Sequence, residues 1–183
     1  MWLKEREGNI NKMLSSLPKE TEVIWDTDYN SCHTLQRVVD SNEAMLIMED
    51  DIELCKNFYE KAKAEIYKRP DNLVMFYSCK TGEVIEAEHK EKGLPYDRPF
   101  IYTQAFYLPA GLGKKLKWFL STNFNANRHR YSKGINEFVV LNNIPRYLVL
   151  PALVQHIWFE SIGDKWKINV MHQSKTYKYD LDN

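Results

Sequence analysis

Glu49, Asp50 and Asp51 follow directly on Met45-Leu46-Ile47-Met48. Three adjacent carboxylates repel one another, and each costs free energy if it loses water without gaining a partner. Packing gains nothing from them. A divalent cation would remove the conflict, because hard cations take oxygen ligands and favour the ionised carboxylate. The alternative is an exposed acidic turn that caps the next helix. Far along the chain stands His156, after the extended apolar stretch Pro151-Ala152-Leu153-Val154-Gln155. By itself it reads as a core-edge histidine bonded to backbone. Beside the carboxylates it adds a nitrogen donor, and imidazole suits Mn²⁺ better than Ca²⁺. Such an ion would bridge two phosphates and stabilise a diphosphate leaving group. Glu137, next to Asn136 in an otherwise apolar stretch, is a separate carboxylate that could take a proton from an attacking hydroxyl. Its plainer reading is a solvated helix position. Asp26 and Asp28 lie in a polar loop and read first as formers of local turn hydrogen bonds.

Elements must bring these residues together. Met45–Met48 is a continuous apolar run and predicts a fully buried strand, with the acidic triplet at its carboxyl end. Ligands of α/β sheets bind just beyond such ends. Residues 3–17 predict a helix with Ile10, Met13, Leu14 and Leu17 on one face, ended by Pro18. Thr21 to Trp25 predicts a short strand. Ser31 or Cys32 to Val39 predicts a second helix, and Leu54 to Arg69 a third, with Phe58, Ala62 and Ile66 at helical spacing. Leu73 to Tyr77 is a second apolar strand. The alternation of helix and strand favours a largely parallel sheet with helices packed on it. Ser78 to Arg98 is polar and long for a connection inside a compact domain, which marks it as functional or mobile. Ile101 to Leu108 resumes strand character, and Pro109 opens a helix to about Leu120. Tyr131 to Asn142 predicts a short helix, and Arg146 to Leu150 a strand. Residues 157–183 form a tail without a strong period.

The bulk properties exclude several classes. The chain has 183 residues and zero formal net charge. That length suits one domain with a sizeable core. The neutral balance gives no general attraction to nucleic acid or anionic membrane. No apolar run approaches the roughly 20 residues needed to span a bilayer. Met1-Trp2-Leu3 passes at once into charged residues, so no signal peptide is expected. Cys32, Cys55 and Cys79 lack metal-site spacing and read as reduced thiols of a cytoplasmic protein. There is no G-x-G-x-x-G fingerprint, no G-x-x-x-x-G-K-[ST] phosphate loop and no G-x-S-x-G elbow. Gly111-Leu112-Gly113-Lys114-Lys115 only superficially suggests a phosphate loop. The cluster Arg128-His129-Arg130 could meet phosphates, though a solvated loop is the simpler reading.

Several segments, in order, carry a resemblance. Met45 to Leu54 resembles the strand and acidic DXD-type motif of GT-A glycosyltransferases. Gln104-Ala105-Phe106-Tyr107-Leu108-Pro109 looks like the segment of those enzymes that flanks the acceptor pocket. Leu150-Pro151-Ala152-Leu153-Val154-Gln155-His156-Ile157, with Ser161 and Gly163, resembles the family's ending, and Arg6 to Leu14 is similar to its first helix. The resemblance covers roughly residues 4 to 165. It implies an α/β, GT-A-like (Rossmann-like) single domain, residues 1–183, with a mostly parallel mixed sheet flanked by helices. The family's first strand is reduced here to Met1-Trp2-Leu3 or absent. The implied activity is metal-dependent transfer of a sugar from a nucleotide-sugar donor, a UDP-sugar favoured, to a hydroxyl acceptor. By that analogy Asp51, Glu49 and His156 hold Mn²⁺ or Mg²⁺, and Glu137 is the inverting base. Asp26, Asp28, Asp50 and Arg6 meet the donor. Gln104, Tyr107 and Trp158 meet the acceptor, with Trp158 narrowing the pocket. The acceptor could be a glycan or a modified base of phage DNA, in a bacterial or phage-infected cytoplasm. The competing expectation is a shortened GT-A relative that binds a nucleotide or glycan without transfer.

Overall fold

The computed structural model describes residues 4–27, 30–78, 102–122, 131–157, 174 and 176–180. Among these residues the helices are α1 (Lys4–Leu14), α2 (Ser31–Val38), α3 (Phe58–Lys68), α4 (Gly113–Thr122) and α5 (Tyr131–Leu141). The strands are β1 (Met45–Met48), β2 (Ile52–Leu54), β3 (Leu73–Met75), β4 (Ala105–Leu108), β5 (Arg146–Leu148) and β6 (Val154–His156). One sheet has the order β1-β4-β3-β5, and β2 and β6 form a separate two-stranded ribbon.

The architecture is α/β, as the alternation of elements predicts, but the sheet is mixed. β4 is antiparallel to both β1 and β3, and only β3 and β5 pair in parallel. Strands β1, β3 and β5 therefore share a direction, with β4 reversed between the first two. Their carboxyl ends and the start of β4 meet on one edge.

Period-two alternation explains why these strands read as unbroken apolar runs. Leu73, Met75, Phe106, Leu108 and Leu148 face one core with Leu35, Leu116, Phe119, Ile135 and Phe138, drawn from α2, α4 and α5. Val74, Phe76, Ala105 and Tyr107 face a second core with Met13, Phe58, Ala62 and the ribbon residues Ile52, Leu54 and Val154. A strand covered on both faces has no polar side to show.

Four expectations about elements are corrected. Met45–Met48 is a strand, but it lies at the end of the sheet order and all four residues are only half-buried. Continuous apolarity reports two covered faces, not a covered edge. Thr21–Trp25 forms no strand, Trp25 is exposed, and its carbonyl is bonded by Arg37 at 2.8 Å. β-propensity does not supply a partner to pair with. Leu54 belongs to β2, paired with Val154, and the helix after it starts only at Phe58, beyond the left-handed Asn57. Pro109 opens a turn rather than a helix: Leu112 N–H donates to its carbonyl, Gly111 has φ 78°, and α4 begins at Gly113. A Cβ on Gly113 would collide with the carbonyl oxygens of Ser41 and Val39, so that glycine serves close packing rather than phosphate binding.

Other readings stand. α1 ends before Pro18, α2 spans Ser31–Val38 with Asn30 as its N-cap, and α5 spans Tyr131–Leu141. The Asn30 side chain accepts from the Cys32 and His33 amides, satisfying two donors of the first turn. Cys32 and Cys55 are buried free thiols. No strand precedes β1 among the described residues. Met1–Leu3, Cys79, most of the 78–98 connection, the 128–130 basic cluster and most of the tail lie outside the described residues. No helix among the described residues is long and apolar enough to cross a membrane.

Candidate functional site

The acidic triplet leaves the carboxyl end of β1 on the edge where β3 and β5 also end. Each carboxylate takes a different partner, because the turn points them in different directions. Glu49 N–H still belongs to the ladder and donates to Gln104 C=O at 2.9 Å. Its side-chain Oε1 accepts from Thr103 Oγ1 at 2.6 Å and from the Tyr131 hydroxyl. The two hydroxyls are themselves 3.1 Å apart. Thr103 lies just before β4, and Tyr131 is the first residue of α5.

Asp50 turns to α1. Arg6 Nη1 lies 2.9 Å and 3.0 Å from its two oxygens. One turn on, Asn9 Nδ2 donates to the carbonyls of Asp50 at 2.7 Å and Ile52 at 3.0 Å. Lys12 pairs with Glu53 at 3.1 Å. Residues 6, 9 and 12 lie along one face of the helix, so α1 grips the turn through three successive side chains.

Asp51 turns to the ribbon. β2 and β6 pair antiparallel with Ile52 opposite His156, and Ile157 N–H donates to Asp51 C=O at 2.8 Å. That register sets His156 Nε2 3.2 Å from Asp51 Oδ2 across 105 residues of sequence. The other oxygen, Asp51 Oδ1, is buried and has no hydrogen-bond partner among the described residues. Gln104 Oε1 is likewise buried without one among them. Tyr77, buried at the end of β3, places its ring 6.4 Å from the His156 ring and edge-on to Tyr102.

The electrostatics follow from this crowding. Burial, and next the charge of Asp51, push Glu49 up to about 7, against the pull of the Thr103 and Tyr131 bonds and of His156. The hydrogen bond to Asp51 raises His156, opposed by burial. Burial, and then Glu49, hold the Tyr131 phenol well above its ordinary value. Two carboxylates and an imidazole thus share too little positive charge.

In donor chemistry the residues fit a divalent cation. Asp51 offers an oxygen that nothing satisfies, His156 an imidazole in contact with the same carboxylate, and Glu49 a second carboxylate whose charge both feel. Among the described residues no group of three or more His, Cys, Asp or Glu side chains could hold a metal ion, so the donors in contact are the pair Asp51 and His156, and Glu49 is engaged by its two hydroxyls.

The remaining candidates disperse. Asp50 and Arg6 engage each other. Asp26 accepts from Asn30 N–H at 3.2 Å, a local turn bond. Glu137 is on α5, its side chain 41% exposed and 4.0 Å from Lys133. Its neighbour Asn136 accepts from the buried Arg146 at 3.5 Å. Tyr107 is buried and donates its hydroxyl to Pro70 C=O at 2.9 Å, towards the start of β3 and away from the acidic turn. Asp28 and Trp158 lie outside the described residues. Thr103 and Tyr131 were not foreseen. A hydroxyl needed by one buried carboxylate leaves no periodicity or motif in a sequence.

Comparison of the chain with protein-family models, curated proteins and solved structures finds no match.

Proposed function

We propose that the protein is a metal-dependent glycosyltransferase of GT-A type, transferring a sugar from a nucleotide-sugar donor, a UDP-sugar by preference, to a hydroxyl acceptor. The observation that carries this reading is the Asp51–His156 contact at 3.2 Å, beside a buried Asp51 oxygen without a partner. The resemblance pairs these two residues on a cation, and they meet at the carboxyl edge of an α/β sheet, where ligands bind. A bound Mn²⁺ or Mg²⁺ would supply positive charge to the donor diphosphate. Asp51 and His156 would hold it, and Glu49 would add its charge. Gln104, whose buried side-chain oxygen accepts no hydrogen bond among the described residues, would offer an acceptor to a substrate hydroxyl.

Two carboxyl groups compete for the base. The resemblance assigns Glu137, which is half-buried and 4.0 Å from Lys133. Glu49, held up to about 7 by burial and the charge of Asp51, has the proton affinity that a base needs at neutral pH only in the metal-free protein, because a bound cation favours its ionised form. Glu49→Gln and Glu137→Gln, compared for turnover and donor binding, separate them. The base is the residue whose replacement removes turnover and leaves donor binding intact.

A binding module without transfer is the second reading. It is favoured by the state of the donor-contacting candidates: Asp50 and Arg6 pair with each other, and Asp26 bonds its own loop. Mn²⁺-dependent hydrolysis of UDP- and GDP-sugars decides between the two. Hydrolysis that disappears in Asp51→Asn and His156→Ala supports the transferase. No hydrolysis of any donor and no Mn²⁺-dependent nucleotide binding favour the module, and hydrolysis that persists in both variants sinks the cation reading.

A further inference from the structure

Glu49 is held on one oxygen only. Thr103 Oγ1 and the Tyr131 hydroxyl both donate to Oε1, and no hydrogen bond among the described residues engages Oε2. The two donors come from segments distant in sequence, the stretch just before β4 and the first residue of α5; each spends its one proton on Oε1, and their oxygens lie 3.1 Å apart. A carboxyl group bonded at one oxygen by two fixed donors has its plane and direction set. A buried tyrosine hydroxyl needs a partner for its own sake, but one acceptor would satisfy it. The convergence of a second hydroxyl on the same atom is what needs explaining.

We propose that Thr103 and Tyr131 are positioning residues for the cation site, holding Glu49 through Oε1 so that Oε2 is presented on the side of Asp51 and His156. This rests on the cation reading given above. Outer hydrogen-bond partners of metal-binding carboxylates fix ligand orientation, and their loss typically weakens metal binding by about 10- to 100-fold. Glu49 leaves the same strand end two residues before Asp51, and Asp51 contacts His156 at 3.2 Å, so the two carboxylates and the imidazole share one edge of the sheet. The assignment gives α5 a second task. Besides packing Ile135, Phe138 and Val139 into the core, it carries at its first residue the hydroxyl that orients the acidic turn.

The test uses the full chain with Mn²⁺ as the probe. Tyr131→Phe and Thr103→Val, each with unchanged circular dichroism, should weaken Mn²⁺ binding by calorimetry about 10-fold or more. Thr103→Ser, which keeps the hydroxyl, should bind as the parent does. Unchanged affinity in both Tyr131→Phe and Thr103→Val, or loss in Thr103→Ser equal to that in Thr103→Val, overturns the assignment. A second readout needs no metal. The ¹³C resonance of the Glu49 carboxyl in the apo protein should move in Tyr131→Phe and in Thr103→Val and stay in place in Thr103→Ser. If the parent binds no Mn²⁺, the cation reading fails. A carboxyl resonance that still moves would then reduce these hydroxyls to a local bond, and one that does not move would remove even that.

Discussion

Burial and the charge of Asp51 raise Glu49 to about 7, and the bond to Asp51 raises His156. Both shifts act on stability with one sign. A group whose folded pKa lies above its unfolded value binds more protons in the native state, so its stabilising contribution is lost as pH rises. For Glu49 that contribution is complete below about 4.5 and gone above about 7. For His156 it is complete below about 6.5 and is lost as pH rises through the higher folded value. The groups titrate as a cluster. The apo protein should therefore lose thermal stability as pH rises from about 4.5 through about 7 and on past the raised His156 value, and Mn²⁺ should restore progressively more of it over that range, because cations bind the deprotonated ligands. Melting curves at stepped pH with and without Mn²⁺ check this; a melting temperature that rises with pH in the apo protein counts against it. Asp51→Asn should abolish the Mn²⁺ increment. At this scale the sequence was half legible. Asp51 and His156 could be paired by resemblance, whereas the Arg6–Asp50 pair and the Thr103–Tyr131 hydroxyls could not. A side chain's partner depends on where the backbone points it, and three adjacent carboxylates in a turn point three ways.

The ribbon of β2 and β6 is the element that makes the site, and it is small. Three residue pairs join it, and a two-stranded ribbon is marginal without support. Support comes from α1 through Asn9 and from the chain's far end. Ser174 N–H donates to Gln155 Oε1 at 2.7 Å, Ala152 N–H to Thr176 Oγ1 at 3.0 Å, and Lys56 N–H to Tyr179 C=O at 2.8 Å. Gln155 adjoins His156, so this end segment braces the strand that carries the imidazole. Thr176→Val removes the acceptor for a backbone N–H and should destabilise by about 1–3 kcal/mol. Amide exchange should quicken at Val154 and His156 more than at Met75, and equal change at all three would deny the brace. Asn9→Ala should loosen the same ribbon from its other side, releasing the Asp50 and Ile52 carbonyls. Gly113→Ala should destabilise by at least about 1–3 kcal/mol through overpacking, measurable by urea unfolding, because backbone carbonyls of Ser41 and Val39 lie where the methyl would go. Helix α3 shows why such details escape the sequence. Leu54 has helical spacing to Phe58, yet Val154 claims it as a strand partner from 100 residues away.

Across the whole molecule, two cores sandwich one mixed sheet, and each strand contributes to both. Phe106, 1% exposed and at the centre of one core, should cost about 3–5 kcal/mol when replaced by Ala. A loss below about 1 kcal/mol in chemical denaturation would mean that this layer packs differently. The amino-acid sequence by itself determined the α/β class, most of the helices and strands, core positions such as Leu35, Phe58, Ala62, Ile135 and Phe138, and the acidic end of β1. These are local properties: periodicity, capping by Asn30 and the chemistry of adjacent residues act over a few positions. Only the tertiary structure decided that β4 runs backwards between β1 and β3, that β1 is an edge, that Thr21–Trp25 stays unpaired and that Tyr107 serves the core. It alone set His156 against Asp51 and two hydroxyls on Glu49. Strand direction and register depend on which distant segments find each other, and the free energy that selects them comes from burying both sheet faces at once. That sum runs over the whole chain, so no stretch of residues records it.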